Sequence, residues 1–197
     1  MEEIKSKILL IYTGGTIGME VNSNDGSLMP LSLENLVKHI PELSRLECAL
    51  STYSFLNPVD SSEADFEFWN DIAKVIEANY DLFDGFVILH GTDTMAYTAS
   101  ALSIMLENLT KPIVITGSQL PMGMLRTDGR ENLISSIEIA SLKDDKGSFI
   151  LQEVAIYFEY SLYRGNRCHK FSTEHFDAII SPNYPPLAEA GVNINWN

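Results

Sequence analysis

The sequence predicts an α/β fold, a doubly wound and mainly parallel sheet with helices on both faces. Short runs that are apolar throughout, such as residues 8–12, are typical of strands buried on both faces. Longer amphipathic segments separate these runs, and strands that alternate with helices form βαβ units with parallel strands. The 197 residues, 45% of them hydrophobic and 20% charged, fit a globular chain of one large or two small domains.

The first half of the chain contains two predicted strands followed by a long helix. Residues 8–12 form an apolar strand that stops at a pair of glycines, and residues 47–56 form a weaker strand with less apolar content. A helix is predicted over residues 62–80, because apolar side chains recur there at spacings of three and four. Ser62 with Asp65 resembles a capping box at its start, with Asp in place of the usual Glu.

The second half continues the alternation of strands and helices. It predicts an apolar strand, a helix rich in Ala and Ser, a strand closed by glycine, and a helix with one apolar side. These four segments are residues 85–90, 96–106, 112–116 and 131–142. The predicted sheet ends with two further segments. These are a strand region that contains residues 149–151 and 154–158, and a short strand at residues 176–180.

Composition limits the partners of the chain. Asp and Glu number 27 against 13 Lys and Arg, which gives a formal charge of −14 and disfavours nucleic acid and anionic membranes as partners. Cys48 and Cys168 match no disulfide framework or metal spacing and are predicted to be reduced thiols. The N-terminus has no signal-peptide pattern and no apolar run is long enough to cross a bilayer, so a cytoplasmic location is predicted.

Three small, hydroxylated and glycine-rich segments follow predicted strands: residues 13–18 (TGGTIG), 90–94 (HGTDT) and 117–121 (GSQLP). Ligands of open α/β sheets bind beyond the carboxyl ends of the strands, so these segments are candidate ligand-binding loops. The glycine spacing of residues 13–18 matches neither common nucleotide-binding motif. Taken singly, each pattern also fits a simple role, a strand-ending turn in the first loop and a helix N-cap in the second.

Residues 13–18 and 90–95 together closely resemble the pair of signature motifs of bacterial-type L-asparaginases. The sequences of these two motifs are most similar to those of the type I, cytoplasmic branch. Further stretches similar to that branch are residues 60–62 (DSS), 116–121 (TGSQLP), 125–129 (LRTDG) and 162–167 (LYRGNR). The resemblance covers nearly the whole chain and implies the flavodoxin-like N-terminal domain of that family.

The resemblance implies a hydrolase that converts the side-chain amide of L-asparagine to L-aspartate and ammonia, without a metal or organic cofactor. By motif position, Thr16 matches the attacking threonine. Thr92, Asp93 and Lys170 match the second catalytic group, in which the lysine acts as base through the threonine hydroxyl. A threonine hydroxyl is a weak nucleophile until a base takes its proton, so this set of residue types suits the reaction.

The resemblance also implies how the substrate is bound. Ser61 matches a ligand-binding serine, with Asp60 and Ser62 beside it, and Thr92 and Asp93 contribute to the same site. A carboxylate at this place would pair with the amino group of the substrate. The family forms dimers or tetramers, so a homodimer or homotetramer is expected.

The basicity of the lysine needs a cause, because an ordinary lysine is protonated at neutral pH. Desolvation or a cationic neighbour lowers the pKa of a lysine. Arg164, Arg167 and His169 precede Lys170 closely in the sequence and are expected to supply such neighbours.

The chain departs from the family pattern in two ways. The family usually has a tyrosine in the loop after the first motif, and the corresponding place here is near Ser27 and Leu28, which have no phenol. Residues 22–27 of this loop (residues 19–30) are flexible in composition, which fits either a lid over the site or a plain surface loop. Family chains are also longer, so residues 1–181 are predicted to form the catalytic N-terminal domain and residues 182–197 the start of an interdomain linker.

Two alternative functions are kept open. One is an asparaginase-like, ammonia-producing subunit of a tRNA-dependent amidotransferase, and the other is a catalytically silent domain for asparagine binding or assembly. Among the histidines, His39 is expected at the surface or at a helix end. His90 is expected to be buried next to the end of the sheet, where its nearness to Thr92 leaves a supporting role open.

Overall fold

The computed structural model describes residues 5–21, 25–30 and 40–197. The described strands are β1 (Ser6–Tyr12), β2 (Met19–Val21), β3 (Leu28–Pro30), β4 (Cys48–Ser54), β5 (Gly85–Leu89), β6 (Ile113–Thr116), β7 (Val154–Phe158), β8 (Ser161–Arg164), β9 (His169–Lys170), β10 (Ile179–Ile180), β11 (Ala188–Ala190) and β12 (Ile194–Trp196). The described α-helices are α1 (Phe66–Asn79), α2 (Met95–Met105) and α3 (Gly129–Ser141).

Eight of these strands form one sheet in the order β12-β11-β8-β7-β6-β5-β1-β4. Strands β4, β1, β5, β6 and β7 are parallel to one another, and β8, β11 and β12 continue the sheet in antiparallel pairing. The predicted mainly parallel sheet is therefore confirmed. After β1 the chain continues to β4 on one side, and after β5 it continues to β6 on the other side. The position between β1 and β5 is therefore a topological switch point, where such sheets usually bind their ligands.

The core consists of two layers, one on each face of the sheet. On one face, α1 and α2 bury apolar side chains such as Ile72 and Leu102 against the strands. On the other face, α3 buries Leu133 and Ile137. Full burial of one such side chain stabilises the folded state by about 1.5–3 kcal/mol, so both helix layers contribute to the stability of the sheet.

Helix α1 begins later than its sequence pattern predicts. The Asp65 carboxylate accepts hydrogen bonds of 3.0 Å from the backbone N–H groups of Glu67 and Phe68, which makes Asp65 the N-cap. Ser62 lies instead in a separate 3-10 turn at Ser61–Glu63. The predicted capping box is therefore wrong, because Asp65 caps the helix alone.

The antiparallel part of the sheet has no counterpart among the predicted strands. Strands β7 and β8 form a hairpin whose turn residues Glu159 and Tyr160 both have positive φ, a conformation that turns usually take with Gly or Asn. Without that signal the sequence does not indicate the hairpin. Residues 149–151, predicted as strand, contribute one isolated bridge between Phe149 and Lys143.

The last residues of the described chain also join the sheet. Ala188 in β11 pairs with Leu162 in β8, and β11 pairs with β12. Residues 182–197 thus contain two strands, and the boundary at residues 181 and 182 stays a prediction. None of the described helices has the length and apolar character that crossing a membrane requires.

Part of the predicted lid is described. Strands β2 and β3 pair in antiparallel fashion, so this segment forms a hairpin after the first glycine-rich loop. Residues 22–24 of the lid, and His39, lie outside the described residues. The lid function stays a prediction.

Candidate active site

The first two glycine-rich loops meet at the switch point of the sheet. Tyr12 at the end of β1 pairs with Leu89 at the end of β5, so both loops leave the sheet side by side. A Cβ atom on Gly15 would lie 2.4 Å from the backbone N of Gly91, which means that the two backbones touch and that only glycine fits. Thr16 and Thr92 each follow one of these glycines and are therefore brought to the same region.

The loop with Asp60, Ser61 and Ser62 lies against the same contact. A Cβ atom on Gly91 would lie 2.4 Å from Ser61 Oγ, and the Thr94 hydroxyl donates to the backbone carbonyl of Ser61 over 2.5 Å. Asp60 Oδ1 accepts 2.9 Å hydrogen bonds from the backbone N–H and the hydroxyl of Ser62. These two bonds lower the pKa of the Asp60 carboxyl, so it carries a negative charge at neutral pH.

Lys170 completes the cluster from β9, far along the chain. Its Nζ donates to Thr92 Oγ1 over 2.7 Å and to Asp93 Oδ1 over 2.8 Å. The Thr92 hydroxyl in turn donates to Gln119 Oε1 over 3.0 Å, and Gln119 Nε2 donates to the backbone carbonyl of His175. The Lys170 side chain is 12% exposed, so this ammonium group is largely shielded from water.

A buried carboxylate anchors the third glycine-rich loop. Asp128 accepts hydrogen bonds from the backbone N–H groups of Gln119, at 2.8 and 3.1 Å, and of Leu120, at 3.1 Å. Asn132 donates to the backbone carbonyl of Gly117 over 3.0 Å. The sequence patterns single out neither Gln119 nor Asp128 as a site residue. The position of Gln119 in a loop after a strand is the available signal.

The turn that holds Thr16 is supported by Tyr12. Thr16 begins a short 3-10 turn at Thr16–Gly18, and the Tyr12 hydroxyl donates to the backbone carbonyl of Gly18 over 3.3 Å. Burial raises the pKa of Tyr12, so its hydroxyl stays protonated. Ser27, near the place of the family tyrosine, binds Asp25 through its hydroxyl and its backbone N–H.

One of the cationic neighbours expected for Lys170 has a different partner. Arg164, expected as a cationic neighbour, binds Glu153 through two hydrogen bonds of 2.7 and 3.0 Å. The charged partner of Lys170 is the Asp93 carboxylate. An ammonium group, a hydroxyl and a carboxylate are thus connected by hydrogen bonds. Groups of these three types can relay a proton.

Both cysteines are free, and burial raises the pKa of the Cys168 thiol to about 12, which keeps that thiol protonated. In the described part of the chain, no group of three or more His, Cys, Asp or Glu side chains is placed to hold a metal ion.

Comparison with known proteins gives consistent matches over almost the whole chain. The family model of the asparaginase N-terminal domain matches residues 7–197. L-asparaginase 1 of Escherichia coli (strain K12) is 48% identical over 193 residues, which cover 96% of this chain and 55% of that protein. The crystal structure of L-asparaginase I from Vibrio cholerae O1 biovar eltor str. N16961 matches with a TM-score of 0.87 at 44% identity, and covers 98% of this chain and 56% of that one.

A relative with another name matches at lower identity. A glutamyl-tRNA(Gln) amidotransferase subunit from Saccharolobus solfataricus is 35% identical over 188 residues, which cover 94% of this chain and 42% of that protein. The chain thus spans about half the length of the relatives that it matches.

Proposed function

The chain belongs to the asparaginase family, and on this basis we propose that it hydrolyses the side-chain amide of L-asparagine to L-aspartate and ammonia. The observation that carries the proposal is the contact of Lys170 Nζ with both Thr92 Oγ1 and Asp93 Oδ1 beside the glycine contact that brings Thr16 near. The same arrangement of hydroxyl, ammonium and carboxylate groups suits acyl transfer through a threonine.

In the proposed reaction, the Thr16 hydroxyl attacks the carboxamide carbon of asparagine. The proton of the hydroxyl ends on the amide nitrogen, which leaves as ammonia, and an ester forms between Thr16 and the substrate. Water then hydrolyses the ester to aspartate. Lys170 acts as base through the Thr92 hydroxyl, and Asp93 holds the lysine in place by their 2.8 Å contact.

The proposed binding groups lie around the same point. We assign the Asp93 and Asp60 carboxylates to the amino group of the substrate, because charge-assisted hydrogen bonds are about twice as strong as neutral ones. The hydroxyls of Ser61, Ser62 and Thr92 serve the remaining polar atoms of the substrate. These roles need no metal or organic cofactor.

The proposal is tested by ammonia release from L-asparagine. Thr16→Val and Thr92→Val remove a hydroxyl with little change in shape, and each is expected to lower kcat by at least about 10²–10⁴-fold. Thr110→Val is the control, since the Thr110 hydroxyl lies at an exposed contact with Tyr80. If the unmodified protein binds asparagine in calorimetry but releases no ammonia, the silent-domain alternative replaces this proposal.

A second candidate function is the ammonia-producing subunit of a tRNA-dependent amidotransferase. It is favoured by the 35% identity with the amidotransferase subunit from Saccharolobus solfataricus. This alternative predicts that ammonia release requires a partner protein and its aminoacyl-tRNA. Release from asparagine by the protein alone, at the same rate with and without tRNA, would exclude it.

We further propose a cytoplasmic location and a homodimer or homotetramer, with neither nucleic acid nor membrane as partner. The free thiols support a reducing compartment, and the net charge of −14 opposes binding to phosphates. Light scattering coupled to gel filtration measures the assembly, and a mass of one chain would contradict it.

A further inference from the structure

The imidazole of His90 is buried directly before the catalytic Gly91–Thr92–Asp93 segment and takes no part in the proposed chemistry. Only 1% of the residue is exposed, and its backbone N–H donates to the Thr116 carbonyl over 2.9 Å. Its two ring nitrogens have different partners. Nδ1 lies 2.7 Å from the Gly91 carbonyl oxygen, and Nε2 lies 2.9 Å from Thr98 Oγ1.

These contacts form a chain of hydrogen bonds with one consistent direction. The Trp69 indole N–H, which can only donate, lies 3.0 Å from Thr98 Oγ1, so that oxygen accepts from it. The Gly91 carbonyl can only accept, so Nδ1 of His90 carries a hydrogen and donates. A neutral imidazole has one donor and one acceptor, and Nε2 therefore accepts the hydroxyl hydrogen of Thr98.

Burial keeps this histidine neutral. Loss of hydration lowers the pKa of His90 to about 4, which exceeds the opposite effect of its contact with Gly91. At neutral pH this neutral imidazole does not take up a proton during the reaction, and it carries no charge that could stabilise the reacting groups. Its effect on the site is therefore geometric.

The imidazole acts on the backbone that positions Thr92. In the described part of the chain, no other donor is within hydrogen-bonding distance of the Gly91 carbonyl. Gly91 touches Gly15 and Ser61 on its other sides, so the peptide between Gly91 and Thr92 is confined by all three contacts. Rotation of that peptide would carry Thr92 Oγ1 away from Lys170, where the present separation is 2.7 Å.

We propose that His90 is a positioning residue, which holds the Gly91–Thr92 peptide through its Nδ1–H group and thereby sets the contact between Thr92 and Lys170. The inference rests on the proposed function, because it assigns Thr92 and Lys170 to catalysis. It adds to that function the chain from Trp69 through Thr98 and His90 to the catalytic loop.

The first experiment measures the hydrogen on the ring and needs no activity. Imidazole ¹⁵N chemical shifts at pH 7 distinguish the two neutral forms and the cation, and the signals that His90→Asn removes identify His90 among the four histidines. The expected result is a neutral ring with hydrogen on Nδ1. Hydrogen on Nε2, or a protonated ring, would overturn the inference.

The second experiment compares His90→Asn with His90→Gln. The Asn amide can place an N–H group near the position of Nδ1, whereas the longer Gln side chain places its amide near Nε2. We expect His90→Asn to retain kcat within about threefold and His90→Gln to lose about 10²-fold in kcat with little change in KM, as a small misplacement of a catalytic group does. Equal kcat values for the two variants would overturn the inference.

The outcome for the proposed function is separate. If the unmodified protein releases no ammonia, the function fails, while crystal structures of the two variants still decide the positioning role. The expected structures keep the contact of Thr92 Oγ1 with Lys170 Nζ in His90→Asn and lose it in His90→Gln. An unchanged contact in His90→Gln would overturn the inference without bearing on the reaction.

Discussion

At the scale of single residues, one ammonium group joins two distant parts of the sequence. Lys170 Nζ contacts Thr92 and Asp93, which lie 78 and 77 residues earlier. The Asp93 side chain is 60% exposed, and ion pairs with exposed partners contribute about 0–1 kcal/mol. The Lys170 side chain is 12% exposed and Thr92 is buried, so water screens the contact between these two residues less. The lysine and the threonine hydroxyl therefore act as one unit.

A double-mutant cycle tests this unit. Thr92→Val and Lys170→Met each remove one end of the 2.7 Å contact, and each is expected to lower kcat by about 10²–10⁴-fold. The double variant should lose hardly more than either single variant, since the second change removes a group that has already lost its partner. Lys74→Met, at an exposed pair with Asp71, serves as the control with unchanged kcat.

If the loss of kcat in the double variant equals the product of the losses in the two single variants, the two groups act independently. Ammonia release at saturating asparagine is the measurement in each case, so differences in substrate affinity do not enter.

The buried histidine gives a prediction about stability. The pKa of His90 falls from 6.5 to about 4 on folding, so between these values the unfolded chain binds more protons than the folded chain. The free energy of unfolding should therefore decrease as the pH falls from 6.5 towards 4, by up to about 3 kcal/mol from this group. Urea denaturation of the unmodified protein and of His90→Asn measures the difference, and parallel pH curves would contradict the prediction.

At the scale of elements, the site is built by loops whose backbones touch. The contact of Gly15 with Gly91 requires the absence of side chains, because a Cβ atom on Gly15 would lie 2.4 Å from the backbone N of Gly91. Strands β1 and β5 are neighbours in the sheet, and their parallel register places the two loops at the same edge. Loop geometry here follows from strand pairing, and the glycines make it possible.

Gly91→Ala tests the close approach of the loops. The new methyl group would lie 2.4 Å from Ser61 Oγ, so the loop with Ser61 or the loop with Thr92 must shift. Displacement of about 1 Å can lower the rate by about 10²-fold, and a loss of that order in kcat/KM is expected.

Gly191→Ala is the matched control for this substitution. A Cβ atom there would have its nearest neighbour at 3.9 Å, so activity should not change. Equal activity of the two variants would mean that the loops are not in contact during the reaction.

At the scale of the whole molecule, the parallel and the antiparallel strands of the main sheet have different roles. The parallel strands β4, β1, β5 and β6 lead into the loops of the candidate site, and the antiparallel strands β8, β11 and β12 extend the sheet away from the switch point. Lys170 comes from β9, which lies outside this sheet. Ala188 in β11 is 1% exposed, whereas its neighbour Glu189 is exposed. This alternation is the pattern of a strand with one buried face.

Ala188→Asp and Glu189→Asp place the same side chain on the two faces of β11. Ala188→Asp buries a carboxylate and is expected to lower the free energy of unfolding by about 3 kcal/mol, whereas Glu189→Asp should change it by less than about 0.5 kcal/mol. Urea denaturation is the measurement. Equal effects would indicate that residues 182–197 behave as a linker, as the resemblance to longer family chains predicts, and not as part of the sheet.

Local sequence patterns are sufficient to predict a strand, helix or loop wherever the residues of that segment show the pattern themselves. Apolar runs predict most of the parallel strands, the arrangement of apolar residues on one side predicts the first and third helices, and the glycine-rich loops predict where Thr16 and Thr92 lie. The hairpin of β7 and β8 lacks such a signal, since Glu159 and Tyr160 occupy turn positions that usually contain glycine or asparagine. The role of Gln119 is not predicted, because its partner Thr92 lies 27 residues earlier in the sequence.

By itself, the sequence determined the alternation of elements, the fold class and the residue types of the site, because periodicity and glycine loops are properties of neighbouring residues. The resemblance implies that Lys170 acts with Thr92 and Asp93, and the tertiary structure adds their contacts of 2.7 and 2.8 Å. Only the tertiary structure decided that Arg164 binds Glu153 and that His90 faces the Gly91 carbonyl. Hydrogen bonds act over about 3 Å, and which distant residues come that close depends on strand order and helix packing.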